Sequence, residues 1–337
     1  MANGKWQMQD ARWSDRNCPT IRVPAANSKT KENTESDCLR AIIGTLSILG
    51  VKQLKRLVIV LEMIKFEHTV FALPFAFLGS FLAAQGCPSF QKVLWILMAM
   101  VGARSAAMAF NRLVDRRIDK ENPRTASRAL PRRLLTPSFV AVFIVCSAAI
   151  FFFSAWMLNP LAFRLSPLAL AIVLLYSFAK RFTWFSHLIL GLSLAIAPVG
   201  GWVAVRGSLN IEPFFLAAAV AFWVGGFDII YACQDVDFDR KHQLQSIPGR
   251  LGIRNALFVS RGFHVIMVAF LIATLGVFNL SGISWFGLFL VILGLGYEHS
   301  LVKANDLSRV NAAFFVMNGL ISMAFFVFVG VDLWLNA

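Results

Sequence analysis

The sequence predicts an all-α fold, a polytopic membrane bundle of about nine transmembrane helices. Three observations lead there. The 337-residue chain is 58% hydrophobic and only 15% charged, far from the balance of a soluble domain. Its apolar residues fall in runs of about 20, the length that crosses a bilayer as helix. None of these runs alternates with the period of two of a membrane barrel, and lipid cannot hydrogen-bond an open backbone, so each run must close its own hydrogen bonds as a helix.

The elements follow in order. Residues 1–53 are polar and mixed in charge, with Asn, Ser, Thr and Lys clustered in AANSKTKENTESD; they read as a disordered N-terminal extension to a membrane domain at 54–337. The short apolar stretch from Ala41 to Val51 is too brief to span, and no basic start or small-residue cleavage site makes it a signal peptide. Leu54 to Lys65 reads as a surface helix. Apolar spans are expected at 67–86, 92–111, 137–158, 161–179, 186–205, 214–233, 256–278, 282–300 and 310–335. The most polar internal segments, Arg112 to Pro137 and Gln234 to Asn255, follow the second and sixth spans, comparable places of the kind an internal duplication leaves, and no sequence repeat is visible beyond that.

The net charge of +14 would suit a nucleic-acid binder, but its placement argues against one. Loops after the second, fourth, sixth and eighth spans hold sixteen Lys and Arg residues, whereas the opposite loops hold only Lys92, Arg164 and Arg206. The positive-inside bias therefore sets the N-terminus and these loops in the cytoplasm and the C-terminus outside, consistent with an odd number of spans in a bacterial inner membrane. The basic loops would attract anionic lipid or an anionic substrate headgroup. The five cysteines show no paired spacing and read as reduced structural thiols.

Chemistry concentrates at two span ends. Asn111, Asp115 and Asp119 recur at i, i+4 and form one helical stripe. Asp235 and Asp239 repeat the spacing at the end of the sixth span. A carboxylate at a membrane helix centre costs roughly 2.5–3.5 kcal/mol, so four near the hydrocarbon need partners. Solvated ion pairs with Arg112, Arg116, Arg117 and Arg240 are one solution. The other is Mg²⁺, which takes oxygen ligands from one or two carboxylates plus substrate phosphates. Two stripes on one membrane face favour the second. Asp237 falls on another helix face and reads as a cap residue; His187, beside Trp184 and Phe185, reads as interfacial.

Asn111-x3-Asp115-x3-Asp119, Tyr231-x3-Asp235-x3-Asp239 and Tyr176-Ser-Phe-Ala-Lys180-Arg181 resemble, in order and position, the signatures of the UbiA superfamily of intramembrane prenyltransferases. The resemblance covers about 60–335. It implies a bundle with a cytosolic cap over a central cavity, transferring a polyprenyl chain from polyprenyl diphosphate to a small aromatic acid. It further implies two Mg²⁺ ions bridging to diphosphate, with Asn111, Asp115, Asp119, Asp235 and Asp239 as metal and diphosphate ligands. Lys180, Arg116, Arg124 and Arg128 would contact the diphosphate, Tyr176 and Tyr231 would hydrogen-bond it, and Glu67 and His68 would orient the acceptor. The family's first-span Arg-Pro pair is replaced here by Lys65 and Phe66. The acceptor thus stays open between 4-hydroxybenzoate, as in ubiquinone synthesis, and a dihydroxynaphthoate, as in menaquinone synthesis. A transporter also buries acids, but near midplane on interrupted helices.

Overall fold

A computed structural model describes residues 56–64 and 69–336. The polar extension, Glu67 and His68 lie outside the described residues. Helix α1 (56–63) is followed by α2 (Thr69–Ala84), α3 (Phe90–Glu121), α4 (Pro137–Leu158) and α5 (Pro160–Leu175). Next come α6 (Ala179–Phe182), α7 (Ser186–Arg206), α8 (Glu212–Ala232), α9 (Val236–Lys241) and α10 (Ile247–Leu251). The chain ends with α11 (Ile253–Val277), α12 (Gly282–Leu301) and α13 (Asn318–Leu335). Eight helical stretches among the described residues are long and apolar enough to cross a membrane. The first expected span is shorter: α2 has 16 residues, about 24 Å at 1.5 Å per residue, and stops before Gln85, whose φ is +54°.

Each span packs on the next in sequence, and α13 returns to α2, closing a ring that α2 and α7 also bridge across the middle. Small residues permit that approach. A Cβ added at Gly201 would lie 2.1 Å from the Ala76 carbonyl oxygen, and one at Gly191 2.1 Å from that of Ala221. A core shared by α2, α7, α8, α11 and α13 buries Leu78, Trp202, Trp223, Met267, Leu271 and Phe325. Outward faces keep large apolar side chains exposed, among them Val145, Trp156, Leu168, Val265, Phe289 and Leu320, as a lipid-facing surface requires. The protein is an integral membrane protein.

Three departures from uninterrupted helices shape the polar end. Helix α3 continues well past residue 111, so its stripe stands on unbroken helix. By contrast, α5 loosens into a 3₁₀ turn at Tyr176–Phe178 before α6, and α8 does so at Cys233–Asp235 before α9. The two acidic stripes, alike in spacing, therefore differ in backbone. The last span opens with a π-helical turn, Ala312–Met317. Over the polar end, α1 buries Val60, Met63 and Ile64 against Ala109, Leu130, Leu135 and Val140, so the segment after α3 is held as a cap.

Candidate active site

A cavity of about 830 Å³ reaches from the polar end deep between the helices. Its mouth holds Asn111, Asp115, Asp119, Asp235, Asp239, Lys180, Arg124, Arg128, Tyr176 and Tyr231. Below them the walls become apolar, with Met100, Phe151, Leu158, Leu165 and Val203. Arg116 is not in the wall: it is exposed, and its Nη1 donates to the Leu113 carbonyl at 2.8 Å. Asp237 is exposed on the cap.

The carboxylates are paired, but not with the arginines nearest in sequence. Arg124 donates from Nε to Asp235 Oδ1 at 2.9 Å and from Nη2 to Oδ2 at 2.5 Å, a bidentate fork. The same guanidinium gives Nη1 to the Tyr231 hydroxyl at 3.0 Å, and Asn122 donates to Asp235 Oδ1 at 3.2 Å. Thus the cap following α3 is tied to the end of α8. Burial disfavours the charge of Arg124, but the hydrogen bond and attraction of Asp235 outweigh it and hold the guanidinium pKa above its ordinary value. Arg128 donates to Asp119 Oδ1 at 2.6 Å, and Arg181 to Asp115 Oδ1 at 2.9 Å. Asn111 Nδ2 donates to Asp115 Oδ2 at 3.1 Å, joining two members of the first stripe. Arg112 is buried and reaches the Met63 carbonyl and Asn111 Oδ1; it fastens α1 rather than a carboxylate.

Two buried carboxylate oxygens at the mouth, Asp119 Oδ2 and Asp239 Oδ2, have no hydrogen-bonding partner among the described residues. Such acceptors are costly unless something fills them, and the all-oxygen donor set of both stripes suits Mg²⁺. Among the described residues no three His, Cys, Asp or Glu side chains converge closely enough to hold an ion alone. An ion here would complete its shell with water and substrate oxygens, as Mg²⁺ commonly does.

Besides Asn122, three groups at the site escaped sequence reasoning. Asp228 lines the cavity and lies 2.6 Å from His187 Nδ1. His187 is fully buried, not interfacial. Arg104 lines the cavity one turn-pair before Asn111 and leaves its buried Nε unpartnered. A usable signal existed: Asp228 and Arg104 are ionisable residues inside apolar runs, and such residues mark function by default.

Fold and mouth together define a class: a helical membrane protein whose charged, oxygen-rich opening stands over an apolar cavity suited to a substrate with an anionic head and a lipid tail. The chain belongs to the UbiA prenyltransferase family, whose sequence pattern matches residues 72–325, and is a prenyltransferase. It is 30% identical over 254 residues to a 4-hydroxybenzoate octaprenyltransferase from Vibrio atlanticus (strain LGP32), covering 75% of this chain and 88% of that one. Among solved structures it resembles a UbiA homolog from Aeropyrum pernix K1 at 37% identity, with a TM-score of 0.73 over 79% of this chain and 98% of the other. A UbiA homolog from Archaeoglobus fulgidus, bound to DMAPP and Mg²⁺, shares the fold at 18% identity, with a TM-score of 0.65 over 81% of this chain and 98% of that one.

Proposed function

We propose that this protein transfers a polyprenyl chain from its diphosphate to 4-hydroxybenzoate, with Mg²⁺ as cofactor and the mouth on the cytoplasmic side, where the basic loops gather. The observation that carries this reading is the charge lining the cavity: six cations, Arg104, Arg112, Arg124, Arg128, Lys180 and Arg181, and five carboxylates, Asp115, Asp119, Asp228, Asp235 and Asp239. Such a near-neutral site accepts a diphosphate and its divalent counter-ions together. The family relatives named for 4-hydroxybenzoate support the acceptor.

The residues divide the work by position. Asp115, Asp119, Asp235 and Asp239, with Asn111, would hold Mg²⁺, which when bound neutralises charge developing on the departing diphosphate. Lys180, already attracted to Asp239, Asp228 and Asp235, together with Arg124 and Arg128, holds the phosphate oxygens and stabilises them as the allylic C–O bond breaks. The apolar wall takes the prenyl tail and excludes water from the allylic cation. Arg104, deeper in the wall, pairs with the acceptor carboxylate and turns the ring toward the cation. The ring carbon then forms the new C–C bond, and its displaced proton passes to Asp228, which His187 orients.

Product analysis by mass spectrometry tests the reading. Membranes containing the full chain receive Mg²⁺, a polyprenyl diphosphate, and 4-hydroxybenzoate in competition with a dihydroxynaphthoate. Prenylated hydroxybenzoate is expected. Prenylated naphthoate alone would keep the mechanism and replace the acceptor; neither product, with folded protein and intact donor, would overturn the reading.

A further inference from the structure

A second polar cluster lies beside the cavity, where α12 meets the last span. Glu298 is fully buried, and neither of its carboxyl oxygens has a hydrogen-bonding partner among the described residues. The Asn318 side chain lies against it, and the Asn318 Oδ1 is a third unpartnered buried atom. The helices are close here: a Cβ at Gly294, one turn before Glu298, would lie 2.9 Å from Ile321 Cγ1. An ionised carboxylate in such a place costs several kcal/mol. A carboxyl that keeps its proton is an O–H donor, and the Asn318 amide beside it carries an acceptor, Oδ1, that no other described residue fills.

The other end of the Asn318 amide has a distinct task. Its Nδ2 donates to the Ala313 carbonyl at 3.3 Å and the Phe314 carbonyl at 2.9 Å. These are the i−5 and i−4 carbonyls of the π-helical turn Ala312–Met317, a rare backbone form that recurs at functional sites. Phe314 and Phe315 of the turn, with Asn311 just before it, line the cavity. Phe314 lies on the Tyr231 ring, centroids 4.2 Å apart, and Tyr231 is the residue whose hydroxyl and ring both meet Arg124. A chain of neighbouring groups thus runs from Glu298 through Asn318 and the turn to the guanidinium proposed to hold the diphosphate.

We propose that Glu298 and Asn318 are a positioning pair for the donor subsite: the neutral Glu298 carboxyl donates to Asn318, whose amide holds the π turn that seats Phe314 on Tyr231 and thereby fixes Arg124. The pair touches no substrate and acts through Tyr231. This inference rests on the donor-diphosphate reading above.

The test uses the purified full chain in detergent, with steady-state kinetics and with binding of farnesyl thiolodiphosphate, a donor analogue that resists cleavage. Glu298→Gln keeps a neutral donor and should stay within about twofold of the wild type in both. Glu298→Leu fills the site with apolar volume, so its thermal midpoint should not fall, yet donor KM and analogue Kd should rise about tenfold with acceptor KM unchanged. Asn318→Ala should raise donor KM alike, and the double variant no further than either single one. A Glu298→Leu protein that binds the analogue as the wild type does, a Glu298→Gln protein as impaired as Glu298→Leu, or additive losses in the double variant would overturn the pairing. Wild-type protein that neither binds the analogue nor turns over would overturn the donor-site reading itself, and this inference with it.

Discussion

His187 and Asp228 meet at 2.6 Å between Nδ1 and Oδ2, while His187 Nε2 lies 3.3 Å from the Ile247 backbone nitrogen. An amide N–H can only donate, so Nε2 is the accepting, unprotonated nitrogen, and Nδ1 carries the hydrogen given to Asp228. The contact is a neutral imidazole orienting a carboxylate at the cavity wall. Because Ile247 opens α10 on the cap, the imidazole is aligned by an element that starts 15 residues beyond the end of α8.

Asp228→Asn should lower kcat by about 10²–10⁴, the usual worth of a positioned base, with donor KM little changed. His187→Ala should lower kcat less, since it removes only the alignment. Steady-state product formation measures both. An Asp228→Asn enzyme at wild-type kcat would remove Asp228 from the proton-transfer step.

Substituting the two carboxylates that keep an unpartnered oxygen, Asp119 and Asp239, should act through the metal. Asp119→Asn and Asp239→Asn proteins should insert and remain monodisperse, lose most turnover, and need a higher Mg²⁺ concentration for half-maximal rate. A chelator should silence the wild type, with Mg²⁺ restoring it. Turnover that persists in chelator would contradict the assignment of both stripes.

The Arg124 fork depends on a planar bidentate group. Lysine in its place supplies charge without that geometry, so Arg124→Lys should raise donor KM by at least about tenfold, and Arg116→Lys, at an exposed position outside the cavity, should do nothing measurable. Equal effects of the two substitutions in a donor titration would deny Arg124 its special place.

Arg104→Ala should raise acceptor KM by about 10–100-fold, consistent with about 1.5–3 kcal/mol for a charge-assisted contact, while leaving donor analogue affinity intact. An acceptor analogue with an uncharged amide in place of the carboxylate should lose its preference for the wild type. If Arg104→Ala instead weakens donor and acceptor equally, the cation belongs to the diphosphate.

Packing of α7 against α8 leaves no room at Gly191. Even Ala would place its Cβ 2.1 Å from the Ala221 carbonyl oxygen, and relief needs backbone movement at a cost on the order of 1–3 kcal/mol or more. Gly191→Ala should lower the thermal midpoint in detergent, and Gly191→Leu should yield little folded protein. A Gly191→Leu variant as stable as the wild type would show that the crossing can relax.

What the sequence determined by itself was whatever depends on neighbours within a few turns. Apolar run length set the spans, and the i, i+4 spacing put Asn111, Asp115 and Asp119 on one helical stripe, because both are properties of a single helix in lipid. The end of α8 shows the limit: Asp235 stands in a 3₁₀ turn, which spacing alone does not reveal. Partners separated by long stretches of chain were decided only by tertiary structure. Arg124 reaches Asp235, 111 residues away, in preference to the arginines beside the stripes. His187 meets Asp228, Arg104 enters the cavity wall, and Glu298 faces Asn318. Those pairings follow from closing the ring of helices, where side chains on different spans compete for the same buried charge and geometry, not distance along the chain, selects the winner.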